Sequence, residues 1–384
     1  MMQDKRVKMC EPEIGEREKF YVNQALDEVE LSGHGRHVGE FEKRFAEYCG
    51  VNHAVMVPNG TIAPHLAMMA IGIGPGDEVV LPSQTISTVA FAVTALGATV
   101  VPCDIDRQTW TMDPNELFKV LTHSTKVVMP TPVFAGVMPD MDAINNVIQQ
   151  FEIDNSQDII HVIEDFAESI GSKYHDKMSG SFGDMGTCSL FANKNMTTGE
   201  GGVVTTNSPE WDRRLRYLRN CAYGIGPNKF LADEQGFNYR PSNLVAALGL
   251  GQLDNVDYLM QRRYDINKWY HQYLSDEFTW QEPLTDCECV PWMNGVLVPQ
   301  KDGNPRRQEF MYYLESRGIE SRSLFPPVGS HPYLADKGLV LNYGEEIISQ
   351  YLYDNGVLLP SGGPSLTEEV VKEVCEVANE FLKE

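Results

Sequence analysis

Lys194 is the residue of this 384-residue sequence with the clearest potential for chemistry. It follows Ser-Leu-Phe-Ala-Asn at 189–193 and precedes Thr-Thr-Gly-Glu-Gly-Gly at 197–202. Among apolar and small neighbours a lysine amine loses its charge more easily than in water and becomes a nucleophile for carbonyl carbons. Glycines beside it let the backbone approach a bound molecule closely. The stretch favours Schiff-base formation with an aldehyde, and the alternative is an ordinary surface lysine on a turn.

A candidate anion site lies earlier in the chain, at Asn59-Gly60-Thr61. This tripeptide follows an apolar run and opens a helical pattern. Backbone N–H groups, a hydroxyl and the helix dipole at such a place suit a phosphate. The alternative is plain helix capping by Asn59 or Thr61, with nothing bound.

Carboxylates follow the apolar run 159–163, in the stretch Glu164-Asp165-Phe166-Ala167-Glu168. A carboxylate at the end of a buried strand is costly unless it is paired. A cationic group on a bound ligand would offset that cost. Asp165 could equally cap the next helix, and the two roles are compatible.

The elements that must position these residues alternate along the chain. Apolar runs predict strands at 53–57, 78–81, 99–103, 126–130, 159–163 and 202–205, and apolar spacings of three and four predict helices at 62–71, 87–96, 114–121 and 141–150. This alternation predicts parallel strands joined by crossover helices, with ligands at the carboxyl ends of the strands.

Beyond about residue 251 the pattern changes. A long helix is expected at 253–274, strands at 295–298 and 318–322, and a helix at 366–382 opened by Ser365. We therefore expect a large domain over 1–252 and a smaller α+β domain over 253–384.

Composition excludes several classes of protein. The formal net charge of −23 repels phosphate backbones, so we expect no nucleic-acid partner. No apolar run approaches the roughly 20 residues of a membrane helix, and none follows the basic N-terminal residues as in a signal peptide. Cys287 and Cys289 lack a second pair, so no metal site is expected. Scattered thiols favour a reducing compartment, and we expect a cytoplasmic protein.

The motifs together resemble the DegT/DnrJ/StrS family of sugar aminotransferases, a branch of the fold-type I enzymes that use pyridoxal 5′-phosphate. The matching stretches cover almost the whole chain: 39–42, 59–61, 72–78, 140–142, 164–165, 183–186, Lys194, 197–202, 236–240 and 359–362. The resemblance implies an α/β fold with a mostly parallel central sheet flanked by helices, plus a smaller C-terminal α+β domain.

The resemblance also implies roles for individual residues. Lys194 matches the lysine that binds the cofactor and moves protons, and Asp165 matches the carboxylate that pairs with the pyridinium nitrogen. The other matches are Glu168 at the cofactor ring, Gly60, Thr61 and Ser189 at the phosphate, Asn238 at the phosphate of the neighbouring subunit, and Arg240 and His331 at the substrate. The match of Asn238 implies a homodimer with shared active sites.

Two positions depart from the family pattern. Ile86 stands where an aromatic residue usually stacks on the cofactor ring, which gives up about 1 kcal/mol of stacking. Phe166 is a candidate for the missing bulk. His331 lies close to, but not at, the position of the usual sugar-contacting histidine.

Within the family, Asn193-Lys194, the Thr-Thr-Gly-Glu-Gly-Gly stretch and Ser32–Arg36 resemble the perosamine synthases. These convert GDP-4-keto-6-deoxymannose to GDP-perosamine with L-glutamate as the amino donor. The alternatives are amination at C3 or C4 of another nucleotide-linked keto sugar, or a non-catalytic protein that binds pyridoxal phosphate and acts as a regulator.

Two other classes of enzyme fit the sequence less well. A related dehydratase branch carries a histidine in place of the lysine, which Lys194 argues against. A nicotinamide dehydrogenase would need a Gly-x-Gly-x-x-Gly turn after its first strand, and residues 58–61 do not form one.

Overall fold

A computed structural model describes residues 6–156, 159–224, 227, 230–341 and 347–384. The strands of its N-terminal part are β1 (His53–Val57), β2 (Glu78–Pro82), β3 (Thr99–Cys103), β4 (Thr125–Val128), β5 (His161–Asp165), β6 (Lys173–Tyr174), β7 (Lys177–Met178), β8 (Met185–Ser189) and β9 (Gly202–Thr206). Within the described residues, seven of these strands form the central sheet in the order β1-β9-β8-β5-β4-β2-β3. The predicted strands of this sheet are confirmed to within a few residues at their ends.

Most of the central sheet is parallel, but β9 is not. It runs antiparallel to both of its neighbours, β1 and β8. The sheet is mostly parallel, as expected, and β9 departs from the predicted pattern of crossover helices because β8 and β9 are joined by the loop 190–201 alone. Strand β8 itself was not predicted, since Met-Gly-Thr-Cys-Ser carries no strong apolar signal, yet four of its five residues are buried.

Helices cover the sheet and build the rest of the molecule. They are α1 (Glu16–Asp27), α2 (Arg36–Cys49), α3 (Ile62–Ile71), α4 (Ser87–Ala95), α5 (Pro114–Val120), α6 (Met141–Asn155), α7 (Pro209–Arg219), α8 (Asn243–Asp254), α9 (Val256–Tyr273), α10 (Arg307–Glu315), α11 (Pro332–Ala335), α12 (Ile347–Asn355) and α13 (Glu368–Phe381). Local chemistry sets several boundaries. Asp140 caps α6 by accepting from the Ala143 N–H at 2.8 Å, and α3 ends at Gly72 with a left-handed φ of 95°.

Beyond α9 the chain builds a second sheet. Its strands are β10 (Thr279–Trp280), β12 (Asn294–Leu297), β13 (Arg322–Ser323) and β14 (Gly356–Leu359), in the order β10-β12-β14-β13, and β11 (Cys287–Glu288) pairs with β6 instead. Of the strand expected at 318–322, only the end is found, as β13, and Ile319 instead forms an isolated bridge with Val7. Helix α13 is capped by Thr367 rather than opened at Ser365.

Both ends of the chain take part in this region. Val7 bridges Ile319, Cys10 bridges Gly362, and the Ser361 N–H donates to the Met9 carbonyl at 2.7 Å. Residues near the N-terminus therefore pack against the segments that follow α10 and β14.

No helix in the described part of the chain is long and apolar enough to span a membrane. In that same part, no group of three or more histidine, cysteine or acidic side chains is arranged to hold a metal ion.

Candidate active site

The predicted site residues sit where parallel strands end. Strand β5 ends with Asp165, β8 ends with Ser189, and β1 leads through Gly60 into α3. Because β1, β5 and β8 run in the same direction, their carboxyl ends meet at one edge of the sheet, which is where open α/β sheets bind ligands. Lys194 lies in the loop between β8 and β9, at this same edge.

Lys194 is buried and held from two sides. Its side chain is only 9% exposed, and its Nζ lies 2.9 Å from Oε1 of Glu168. The same Nζ lies 3.7 Å from the centroid of the Trp292 ring. An amine between a carboxylate and an aromatic face is fixed in direction by charge and by the ring quadrupole. Lys194 is therefore not an ordinary surface lysine on a turn.

Asp165 is a buried carboxylate with little compensation. Burial raises the pKa of Asp165 to about 7, while the Ala167 N–H, which donates to its Oδ1 at 3.2 Å, and the charge of Lys194 act in the opposite direction. A cationic nitrogen on a bound ring would lower that pKa and stabilise the ionised carboxylate. A buried carboxylate acceptor at this position fits the N–H of the pyridinium ring of pyridoxal 5′-phosphate.

Glu168 completes the acidic side of the site. Its Oε2 accepts from the Phe134 N–H at 3.1 Å, while its Oε1 contacts Lys194. Burial raises the pKa of Glu168, and the nearby Lys194 charge opposes that shift. A carboxylate with this environment can hold the lysine as an ammonium ion or take a proton from it.

Glu164, one residue before Asp165, has a different task. Its two oxygens accept from the N–H groups of Gly180 and Phe182 at 2.8 and 3.1 Å. Burial raises the pKa of Glu164 to about 7. Neighbouring residues of a strand point to opposite faces, so Glu164 anchors the turn at 180–182 while Asp165 serves the site.

The phosphate-type site is built from α3 and β8. Asn59 Oδ1 accepts from the Ile62 N–H at 3.0 Å, so helix capping is the role of Asn59. A Cβ at Gly60 would collide with the Ser189 side chain, so only glycine leaves this cradle open. Thr61 begins α3 without using its side chain as a cap. Backbone N–H groups beside two hydroxyls form a donor set that fits a phosphate.

Several aromatic residues at the site were missed from the sequence. Besides Trp292 they include Phe134 and Phe325, whose rings lie 5.1 Å apart, and the Trp292 and Phe325 rings are 6.4 Å apart. The only sequence signal for Trp292 was its place in Val-Pro-Trp, after the Cys-Glu-Cys stretch. The Trp292 ring covers one side of Lys194 Nζ, and Phe325 and Phe134 extend the aromatic cluster from it.

Ile86 and Phe166 were both considered as cover for the cofactor ring, and the structure places them in different environments. Ile86 lies in the loop between β2 and α4, directly before α4, and is 38% exposed. Its side chain is therefore accessible to a bound ligand. Phe166 is fully buried, packs 6.4 Å from Phe45 and fills the space above Gly180. The bulk of Phe166 is therefore part of the hydrophobic core.

His331 is placed at the beginning of α11. Its Nε2 is buried and has no hydrogen-bond partner within the described residues, and burial lowers its pKa. The preceding turn is tied to the end of β2, where the Val328 N–H donates to the Ser83 carbonyl at 2.9 Å. A neutral imidazole with a free nitrogen suits contact with a sugar hydroxyl.

Asn238 and Arg240 lie over the end of α7. Asn238 is exposed and forms a bridge with Asn220, whose Oδ1 accepts from Arg240. Within the described residues, neither side chain is hydrogen-bonded to Lys194 or Asp165. One chain alone thus brings together Lys194, Asp165 and Glu168 but leaves Asn238 and Arg240 outside this group.

The arrangement suits one kind of ligand: a flat cationic ring that carries an aldehyde and a phosphate. Lys194 would meet the aldehyde, Asp165 the ring nitrogen, and the cradle of Gly60, Thr61 and Ser189 the phosphate. The ring would then be covered on one face by Ile86.

Comparison with known proteins gives the same picture. The DegT/DnrJ/EryC1/StrS aminotransferase family matches residues 12–379. GDP-perosamine synthase of Caulobacter vibrioides is 40% identical over 381 residues, 98% of each chain, and that of Escherichia coli O157:H7 is 35% identical, covering 99% of this chain and all of the other. A dTDP-3-amino-3,6-dideoxy-alpha-D-galactopyranose transaminase from Aneurinibacillus thermoaerophilus is 32% identical, covering 96% and 97%.

Solved structures share the fold over nearly the whole chain. Spr1654 from Streptococcus pneumoniae, in its PMP-form, has a TM-score of 0.90 at 24% identity and covers 98% and 99% of the two chains. DesV of S. venezuelae has a TM-score of 0.85 at 29% identity, with coverage of 96% and 94%. The expected fold, with its mostly parallel sheet, is confirmed.

Proposed function

Because the chain belongs to the DegT/DnrJ/EryC1/StrS aminotransferase family, we propose that it moves an amino group from L-glutamate to GDP-4-keto-6-deoxymannose and so forms GDP-perosamine. The chain is a sugar aminotransferase that depends on pyridoxal 5′-phosphate. The proposal adds the donor, the acceptor and the residues that act. The observation that carries it is the placement of Lys194 beside Glu168 and at the same sheet edge as Asp165.

Pyridoxal 5′-phosphate, when bound, supplies an electron sink for the bond that breaks at the amino-bearing carbon. Asp165 keeps the ring nitrogen protonated, because a carboxylate buried with one backbone donor gains most from a cationic partner. Gly60, Thr61 and Ser189 hold the phosphate and fix the position of the ring.

Lys194 Nζ is the group that moves the proton. Glu168, 2.9 Å away, directs this amine by accepting from it, and the Trp292 face limits the positions that the amine can reach. Burial of this pair keeps water away, so that proton transfer goes to the substrate rather than to solvent.

The choice of acceptor rests on the relatives named GDP-perosamine synthase, which are 31–40% identical over nearly full length. The alternative, amination at C3 or C4 of another nucleotide-linked keto sugar, is favoured by the similar transaminases that act on dTDP-sugars. Arg240 and His331 are the proposed substrate contacts.

One experiment separates these acceptors. The purified chain is mixed with pyridoxal phosphate, L-glutamate and a panel of GDP- and dTDP-linked keto sugars, and product masses are followed. With the GDP-4-keto-6-deoxy sugar we expect a product whose mass shows that the keto group has become an amine. We also expect the largest kcat/KM with this acceptor. Preference for a dTDP-sugar would overturn the proposed acceptor, and bound cofactor without any turnover would favour a regulatory protein. A Lys194→Ala chain is the control.

We further propose a cytoplasmic homodimer in which Asn238 contacts the phosphate in the partner's site. Asn238 is exposed in one chain and has no hydrogen bond to Lys194 or Asp165 among the described residues, which supports a role across an interface. In a two-fold dimer the two sites are equivalent.

Mixing variants tests the shared site. A Lys194→Ala chain and an Asn238→Ala chain, each poor alone, form heterodimers with one doubly damaged and one intact site. With free exchange we expect about a quarter of wild-type activity, since half the dimers are mixed and each has one good site. Verified heterodimers without any gain in activity would place Asn238 in its own chain's site or outside catalysis.

A further inference from the structure

Arg263 on α9 is buried, at 7% exposure, close to the loop 190–201 that carries Lys194, called the catalytic loop below. Its guanidinium donates to five acceptors: the carbonyls of Trp292 at 3.1 Å, Ser361 at 2.8 Å, Asn193 at 3.2 Å and Lys194 at 3.2 Å, and the Cys10 sulfur at 3.4 Å. None of these five acceptors is a carboxylate. A guanidinium keeps its charge in proteins, so here backbone dipoles replace an ion pair.

The acceptors come from four separate parts of the chain. Two of them, the carbonyls of Asn193 and Lys194, belong to the loop that carries the catalytic amine. A third is the carbonyl of Trp292, whose ring contacts Lys194 Nζ and whose Nε1 donates to the same Asn193 carbonyl at 2.8 Å. Arg263 therefore binds both the backbone of the lysine and the backbone of the ring against which the lysine rests.

The surrounding sequence makes room for this arrangement. A Cβ at Gly362 would collide with Nη1 of Arg263, so the glycine of the Leu-Pro-Ser-Gly stretch is required for the guanidinium to reach the Ser361 carbonyl. Cys10 also donates to the Asn193 carbonyl, at 3.5 Å. The N-terminal segment, the catalytic loop and the segment after β14 all converge on one side chain.

We infer that Arg263 is a positioning residue for catalysis: it fixes the backbone of Asn193 and Lys194 relative to Trp292, and so sets where Lys194 Nζ meets the cofactor. This inference rests on the proposed role of Lys194. A guanidinium spreads its N–H donors over separate nitrogens in a rigid planar fork, whereas a lysine ammonium carries three donors on one nitrogen and cannot reproduce that geometry. A shift of about 1 Å at the amine is enough to cost about a hundredfold in rate.

Arg262 provides a matched control. It precedes Arg263 on the same helix and also donates to backbone carbonyls, those of Gly363 at 3.4 Å and Leu366 at 3.2 Å. These carbonyls lie in the segment after β14, and Arg262 Nε also pairs with Glu13 at 3.5 Å; none of these groups belongs to the loop 190–201. A merely structural role for these arginines predicts similar effects of the two substitutions.

The experiment uses the holoenzyme of wild type, Arg263→Met, Arg263→Lys, Gly362→Ala and Arg262→Met. Borohydride reduction followed by peptide mass spectrometry gives the fraction of chains whose cofactor is covalently bound to Lys194. The pH midpoint of the visible absorbance band is measured in parallel, as is the melting temperature. Added guanidinium at low millimolar concentration tests for rescue.

We expect Arg263→Met, Arg263→Lys and Gly362→Ala to shift the pH midpoint and to lower kcat by about ten- to a hundredfold. Arg262→Met should change only the melting temperature. Added guanidinium should partly restore the kcat and the pH midpoint of Arg263→Met, and it should change neither quantity in Arg262→Met.

Two outcomes would overturn the inference. One is an unchanged pH midpoint and kcat in the Arg263 variants that fold, and the other is an equal change in Arg262→Met. If Arg263→Met does not fold, Arg263→Lys and Gly362→Ala decide. Wild-type cofactor bound to a lysine other than Lys194 would instead refute the proposed role of Lys194.

Discussion

Two buried carboxylate centres of this protein differ in how their charge is compensated. Glu42 on α2 accepts from Arg216 at 2.6 Å, from Arg219 at 2.5 Å and from the Met56 N–H at 2.9 Å. Asp165 has one backbone donor at 3.2 Å, and its pKa is raised to about 7, chiefly by burial.

The difference separates structural from functional acids. A buried carboxylate that the protein itself surrounds with cations holds elements together, here α2, α7 and β1. A buried carboxylate that has lost its water contacts and has few protein donors is stabilised when a cationic ligand binds beside it. The five predictions that follow test this contrast, beginning with the largest effect.

Lys194→Ala removes the only group proposed to bind the cofactor covalently and to move the proton. We expect kcat to fall by at least about 10⁴-fold, because nucleophilic and acid–base catalysis are lost together. Turnover with the keto sugar and L-glutamate measures this. Lys173→Ala, which loses only an exposed ion pair with Glu288, is the control. Retained turnover in Lys194→Ala would contradict the proposed role of Lys194 in this site.

Asp165→Asn leaves the shape of the side chain but removes its charge. Since an amide cannot keep the ring nitrogen protonated, kcat should fall by about 10²- to 10³-fold and the cofactor should bind more weakly. Glu164→Gln is the matched control on the adjacent position, and it should affect stability more than kcat. Near-normal turnover in Asp165→Asn would contradict the contrast between the two centres.

Glu42→Gln should do the reverse. Removing one partner of a buried ion network leaves Arg219 uncompensated, so the free energy of unfolding should drop by about 2–4 kcal/mol. The folded fraction should keep near wild-type kcat. Urea unfolding and turnover of the same preparation check both halves. A large loss of kcat in fully folded protein would show that Glu42 is not a purely structural acid.

The raised pKa of Asp165 also has a pH signature. A carboxyl group whose pKa is about 7 when folded and near 4 when unfolded binds more protons in the folded state between these values. The stability it contributes is present at low pH and is lost as pH rises from about 4 to 7.

In cofactor-free protein, Asp165→Asn should therefore reduce the fall in stability over this window by up to about 1.4 kcal/mol per pH unit. Unfolding at a series of pH values measures the slope. Glu164, whose pKa is also raised to about 7, contributes a slope of its own, so an Asp165→Asn slope equal to wild type would mean that Asp165 is not among the groups that titrate in this window.

The smallest effect concerns the face of the ring. Ile86→Phe restores the usual aromatic residue at a half-exposed position, and stacking worth about 1 kcal/mol should tighten cofactor binding about fivefold. Titration of cofactor-free protein with pyridoxal phosphate measures the Kd. Ile86→Leu should not change it. An unchanged Kd in Ile86→Phe would show that this side chain does not cover the ring.

The sequence predicted most of the central sheet because its strands are continuous apolar runs buried on both faces. It missed β8, whose glycine and polar residues become buried only through pairing with β5 and β9. The long helix expected at 253–274 is confirmed as α9, Val256–Tyr273, to within three residues at its ends. Strand β8 has no comparable local signal, because its burial is decided by tertiary contacts.

The site was predicted unevenly for a similar reason. Lys194, Asp165 and Gly60 stand in short motifs at strand ends, so their types and spacing are readable. Trp292 and Arg263 act from segments about 100 and 70 residues further along the chain, and only the folded backbone brings them to Lys194. Their importance follows from three-dimensional contacts and not from any periodicity.

The pairing of residues 7–10 with the segments around Ile319 and Gly362 has a consequence for biosynthesis. A ribosome makes residues 7–10 first, yet the partners of Val7 and Cys10, Ile319 and Gly362, are made more than 300 residues later. Ser361, which supplies an acceptor to Arg263, also arrives late. At about 5–20 residues per second, the nascent chain spends many seconds with its lysine loop made but not yet anchored. The reactive amine thus gains its final position only after Ser361 has been synthesised.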